Sequence, residues 1–211
     1  MPIASLDEVT RAAEHLTHHD PILAPVISQA GLCTIRPHHQ YYAKLIDSII
    51  SQQLSVKAAR SIEQRFKALF ESESPDPVVL LETPTEALRS AGLSNAKVRY
   101  IRDLAEHIID GKLVFDRFES LNNDEIITEL TAVKGIGDWT AHMFLMFCMG
   151  RLDILAIGDL GIRNGIQALY GFEDTPTPSE VTELAEKYQW HPYETVACWY
   201  MWRSLDTKPA I

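Results

Sequence analysis

The sequence predicts an all-α protein, and three observations carry that reading. Apolar residues recur at three- and four-residue spacing in nearly every segment. No stretch sustains two-residue alternation beyond a few extended residues near 33–37. Small polar residues precede the periodic runs, and glycine or proline follows them, as helix caps and stops do.

The elements follow in order. Residues 6–18 and 41–52 have helical periodicity. Residues 55–70, SVKAARSIEQRFKALF, repeat it and open on Ser55, a good N-cap. The polar, proline-marked ESESPDP at 71–77 breaks the chain. Short helices fit 78–82 and 84–91, with Gly92 as a stop. Ser94 caps a longer helix that ends by Gly111. Residues 122–132 start from Asn122 or Asn123, and the tight turn Gly135–Ile136–Gly137 separates them from an apolar helix over 138–149. A helix over 159–170 ends at Gly171, and TPTP at 175–178 leads to the last two, at 178–189 and 192–205.

Bulk composition narrows the class. The chain has 211 residues, 46% hydrophobic and 23% charged, which is ordinary for a soluble globular protein. No apolar run approaches the roughly 18–20 residues of a membrane span. The acidic N-terminal segment lacks the basic start and apolar stretch of a secretory signal. The expected location is an intracellular aqueous compartment: cytoplasm or nucleoid in a bacterium, nucleus in a eukaryote. Cys33, Cys148 and Cys198 form no CxxC pair, so neither a structural zinc site nor an iron–sulfur site is expected. Cys148 and Cys198, in apolar helical stretches, are expected as buried thiols. The pairs His18–His19 and His38–His39 point in divergent directions and are expected on the solvated surface. A net charge of −10 argues against casual nucleic-acid binding, so a DNA reading must rest on local features: helix N-termini, backbone amides and a small basic patch.

One such feature is LTAVKGIGDWTA at 130–141. Glycine permits positive φ and close backbone approach. Just beyond Gly137, the free amides and positive dipole end of the next helix can hold a phosphate without a lysine. Lys134 and Thr140 are placed to add a charge and a hydroxyl contact. Further on, the extended link DILAIGD at 153–159 puts Asp159 at the N-cap of the 159–170 helix. A capping aspartate contributes about 1 kcal/mol, and taken alone Asp159 is no more than a cap. Of the rival carboxylates, Asp138 compensates a helix dipole in the first turn after the hairpin, and Asp153 reads as structural.

The pattern apolar-x-Gly-Ile-Gly-x-x-Thr-Ala between two helices resembles the helix-hairpin-helix motif. With Asp159 beyond it, the chain from about residue 8 to 205 resembles the helix-hairpin-helix DNA glycosylase superfamily, whose catalytic aspartate lies at this place. The resemblance implies two helical lobes flanking a DNA-binding cleft within one domain, 1–211. One lobe takes residues of about 38–158 and the other about 1–37 with 159–211. Trp139 stands where strand-cutting members carry a Schiff-base lysine, and the four-cysteine cluster of the endonuclease III and adenine–mismatch branches is absent. ISQQLSVKAA at 50–59 resembles the segment that carries a DNA-inserting wedge. Together these are similar to the alkylpurine branch, which includes 3-methyladenine DNA glycosylase II, in a short form without an N-terminal β-rich domain.

The resemblance implies removal of 3-methyladenine and 7-methylpurines from double-stranded DNA, without strand cleavage, by a monomer. Asp159 would be catalytic, and Trp139, Trp202, Tyr41 and Met143 would line the base pocket. Gln53 or Leu54 would fill the gap left by the extruded base, with Ser55, Lys57, Lys134, Gly135, Gly137 and Thr140 on the DNA backbone. No cofactor is implied for the chemistry, but a Na+ or K+ ion is, on the backbone carbonyls of Thr131, Val133 and Ile136. Trp190 and Trp199 are assigned to the core. The chain departs from the branch at Met143, in place of a pocket tyrosine, at Gly158, in place of an acidic residue, and near Gly165, in place of a basic one. Two other readings stay open: a non-catalytic helix-hairpin-helix module, and a glycosylase for hypoxanthine or ethenoadenine.

Overall fold

Among the residues described by the computed structural model, 2–72 and 74–206, twelve α-helices follow one another without a strand. They are α1 (Leu6–His19), α2 (Ala24–Ala30), α3 (Tyr41–Ser51), α4 (Val56–Lys67), α5 (Pro77–Glu82), α6 (Thr85–Ser90), α7 (Asn95–Ile109), α8 (Asn123–Thr131), α9 (Asp138–Met143), α10 (Leu160–Tyr170), α11 (Pro178–Lys187) and α12 (Glu194–Asp206). The all-α prediction holds. The caps act as their residue types dictate: Ser55, Ser94 and Asp159 each accept an amide of the first turn, and Asn122 with Glu125 closes a capping box.

Three elements depart from the periodic pattern. Helix α2 has seven residues, no side-chain cap and one buried residue, Ile27, so it carries too little pattern to be seen. A 3-10 turn at Phe115–Ser120 buries only Phe118. The run predicted as one helix over 138–149 is α9 followed by a π-helical turn, Phe144–Cys148. The π turn is apolar and follows α9 without a break, and periodicity does not register the wider turn.

The chain divides into two compact units. The first comprises Met1–His39 and Leu145–Ile211, and the second is Gln40–Phe144. Residues 145–158 therefore group with the chain ends and not with the middle lobe. The reason is backbone stitching: Ala4 N–H donates to Gly150 O at 2.7 Å, Leu152 N–H to Pro2 O at 3.1 Å, and Thr195 N–H to Leu152 O at 2.9 Å. Leu16, Leu23, Trp190 and Tyr200 fill the core of the first unit, and Trp199 is buried with them. Leu45, Ile49, Phe66, Ile101 and Phe118 fill that of the second. All three cysteines are buried and unbridged. His18 and His39 are exposed as expected, whereas His19 and His38 are half-buried. The His19 ring lies against those of His15 and His18, at 4.5 and 4.8 Å between centroids. No described helix is long and apolar enough to cross a membrane.

Candidate active site

In the first unit, Asp159 is buried at the N-terminus of α10. Its Oδ1 accepts Ile162 N–H at 2.8 Å and Trp202 Nε1–H at 2.9 Å. The carboxyl is thus oriented by its own helix and by an indole from α12. Gly161 makes room for that indole, since a Cβ there would stand 2.9 Å from Trp202 and 3.1 Å from Asp159 Oδ1. On its other side the Trp202 ring tilts against Phe147, with centroids 5.7 Å apart. Phe147 is 37% exposed, beside buried Phe144, Leu145 and Met146. Sequence reasoning missed it because it reads as one more apolar position of the 138–149 run.

Gly165 explains a departure noted above. A Cβ there would lie 2.6 Å from the Met201 carbonyl oxygen. Helices α10 and α12 come close at this point, and the same two helices carry Asp159 and Trp202. Gly165→Ala is expected to destabilise the fold by about 1–3 kcal/mol through overpacking and to lower activity at the same time, as read by thermal unfolding and turnover. Wild-type behaviour in both would show that the helices separate without cost. At Gly158 a Cβ would meet nothing within 4 Å, so no packing demand accounts for glycine there.

In the second unit, the hairpin joins α8 to α9. Gly135 has φ +86°, and a Cβ would run into the Tyr100 ring, so backbone and packing both require glycine. Gly137 is extended and caps α9, with open space where its Cβ would be. Ile136 and Val133 anchor the turn in the core. The Val133 carbonyl accepts Ile136 N–H at 3.1 Å. Trp139 is half exposed and Met143 half-buried on α9.

Three of the predicted site residues have local partners or burial that their types did not announce. Lys134 is exposed, but its Nζ donates to Asp103 Oδ1 at 2.7 Å and its backbone N–H to Asp103 Oδ2 at 2.8 Å. Its charge is therefore matched by a buried carboxylate and adds no unpaired cation to the hairpin. Burial pushes the Asp103 carboxyl up, but the hydrogen bonds and charge of Lys134, with His107, outweigh this and hold it below the usual carboxylate range. Thr140 is buried, so its hydroxyl is not presented at the hairpin surface. Tyr41 is buried too. Its ring packs with Phe144 at 5.2 Å, Phe115 at 5.8 Å and Phe118 at 6.4 Å.

The 52–55 loop lies at the surface. Gln53 and Leu54 are both exposed, and Gln53 has a left-handed φ of +58°. Ser55 Oγ accepts Ala58 N–H at 3.3 Å, and Lys57 is exposed on the first turn of α4.

Known proteins resemble this chain in sequence and fold. Residues 46–189 match the HhH-GPD superfamily base excision DNA repair protein family. A DNA-3-methyladenine glycosylase of Schizosaccharomyces pombe is 34% identical over 212 residues, covering 95% of this chain and 91% of that protein. An alkylbase DNA glycosidase-like protein of the same yeast is 32% identical, covering 92% of each. The crystal structure of a DNA-3-methyladenine glycosidase from Bacillus halodurans superposes with a TM-score of 0.86 at 38% identity, over 98% of this chain and 94% of that one. A Schizosaccharomyces pombe 3-methyladenine DNA glycosylase in complex with abasic DNA superposes with a TM-score of 0.80 at 33% identity, over 93% and 97%.

Proposed function

The chain belongs to the HhH-GPD superfamily of base excision DNA repair proteins, and on that footing we propose that it hydrolyses the N-glycosidic bond of alkylated purines in double-stranded DNA, leaving an abasic site. The observation that carries this reading is the Asp159 carboxyl, oriented by Ile162 N–H and the Trp202 indole at the head of α10.

A base inside a duplex is out of reach of a carboxylate, so the lesion must be extruded. The exposed 52–55 loop supplies Gln53 or Leu54 to fill the gap. The open backbone at Gly137 and the first amides of α9 supply phosphate contacts, which suits a chain of net charge −10 better than a lysine patch. Alkylation at N3 or N7 makes the purine a cation and a good leaving group. An indole face such as those of Trp139 and Trp202 attracts such a cation by about 0.5–2 kcal/mol. The base departs with the electron pair of the glycosidic bond, and the sugar is left as an oxocarbenium ion. Asp159 stabilises that cation and takes a proton from the attacking water, whose oxygen bonds to C1′. Trp139 offers no amine for a Schiff base, so strand cleavage does not follow. A Na+ or K+ ion on the carbonyls of Thr131, Val133 and Ile136 belongs to the same reading. Their oxygens are suitable hard donors, although that of Val133 is shared with Ile136 N–H, and no chemical step uses the ion.

The test is release of free 3-methyladenine and 7-methylguanine from methylated duplex, with strand breaks appearing only after alkali. Breaks without alkali would exclude hydrolysis alone. Duplex binding without release would make the protein a damage-recognition module. Hypoxanthine and ethenoadenine substrates in the same assay define the lesion range.

A further inference from the structure

Helix α3 ends at Ser51, and the loop that follows has to hold an unfavourable shape. Gln52 leaves the helix with an extended backbone, and Gln53 takes a left-handed φ that a side chain other than glycine rarely adopts. Such a conformation persists only where surrounding contacts hold it. The last carbonyls of a helix also lack intrahelical donors. Here one side chain answers two of them: Lys97 Nζ donates to Ile50 O at 2.7 Å and to Gln52 O at 2.8 Å. The carbonyl between them, that of Ser51, accepts Leu54 N–H at 3.1 Å. A cation at a helix C-terminus is also favoured by the helix dipole.

The same face of α7 supports the hairpin. Lys97, Tyr100 and Asp103 follow at three-residue spacing, which places them along one side of the helix. Tyr100 lies under Gly135, and Asp103 holds both the backbone N–H and the Nζ of Lys134. Gln52 Nε2 donates to Gly135 O at 2.8 Å and ties the two loops together directly. One rigid helix thus carries the loop that would enter the duplex and the turn that would grip its backbone.

Resting on the glycosylase reading, we propose that Lys97 is a positioning residue for base extrusion: by clamping the Ile50 and Gln52 carbonyls it fixes the 52–54 loop in register with the hairpin. It does not touch the reacting atoms. Its removal therefore raises the cost of opening a paired lesion and leaves the chemistry on an unpaired one nearly intact. The experiment compares single-turnover release of one alkylated base from two duplexes, with the lesion opposite its normal partner or opposite an abasic position, where unpairing costs less. Lys97→Met is expected to slow release from the paired duplex by about tenfold or more, the equivalent of one charge-assisted hydrogen bond, and from the unpaired one by roughly twofold. Lys97→Arg, which keeps a charged donor pair, should restore most of the rate. Equal losses on both substrates, or no loss on either, would overturn the proposal and assign Lys97 to general stability or to nothing. A second readout, the preference for abasic-site duplex over intact duplex, separates this proposal from the hydrolase reading. If the unsubstituted protein releases no base, that reading fails, yet the preference should still fall in Lys97→Met and return in Lys97→Arg. A preference that the substitutions leave unchanged, or that the unsubstituted protein lacks, overturns the positioning role.

Discussion

Asp159→Asn is expected to cut release of 3-methyladenine by about 10²–10⁴-fold, the range for losing a general base and its charge, while binding to an abasic-site analogue persists. Asparagine keeps a side-chain oxygen where Oδ1 stands, so it can still accept from Ile162 N–H and Trp202 Nε1–H. The helix cap and the indole stay in place, and thermal unfolding should barely move. What disappears is the charge opposite the oxocarbenium ion and the acceptor for the water proton. Asp159→Ala would confuse the two roles, because it also removes a cap worth about 1 kcal/mol. Near-normal release by Asp159→Asn would return Asp159 to a purely capping role and end the catalytic assignment.

The cap role of Asp159 was legible because capping is local: an aspartate, three residues and an amide. The same holds for Ser55, Ser94 and the glycines of the hairpin, whose conformations depend on neighbours in sequence. What lay beyond reach depends on partners brought in from far along the chain. The pairing of Lys134 with Asp103, 31 residues earlier, is one such contact. Trp202 is 43 residues from Asp159, and no spacing rule predicts their bond. Thr140 and Tyr41 have residue types suited to a surface contact and a pocket wall, and their burial depends on packing that residue type does not encode. Gly165 read as a basic residue missing from the pattern. The Met201 carbonyl makes it a residue that nothing larger can replace without moving a helix.

Asp20 is the strongest case of such long-range dependence, and its removal should be the most damaging change to stability. It is fully buried between α1 and α2. Oδ1 accepts the amides of Ile22 at 3.1 Å and Leu23 at 2.9 Å, while Oδ2 accepts Tyr170 Oη–H at 2.5 Å and Trp190 Nε1–H at 2.8 Å. Tyr170 is the last residue of α10, so Asp20 ties down the far end of the helix that begins beside Asp159. Asp20→Ala leaves four donors without their acceptor. Tyr170 can rotate its hydroxyl, but the buried Trp190 N–H has no such freedom, and each unsatisfied buried group costs about 1–3 kcal/mol. A total loss of about 3–5 kcal/mol is expected, which for a chain of this size lowers Tm by on the order of 10 °C. Asp20→Asn separates hydrogen bonding from space-filling. Its oxygen can serve Ile22 and Leu23, but its amide nitrogen then faces the Trp190 donor. If the bonds matter, asparagine should lose most of what alanine loses. A near wild-type Tm for Asp20→Asn would mean that the carboxyl merely fills volume, and that packing of Trp190 and Tyr170 holds the end of α10 unaided.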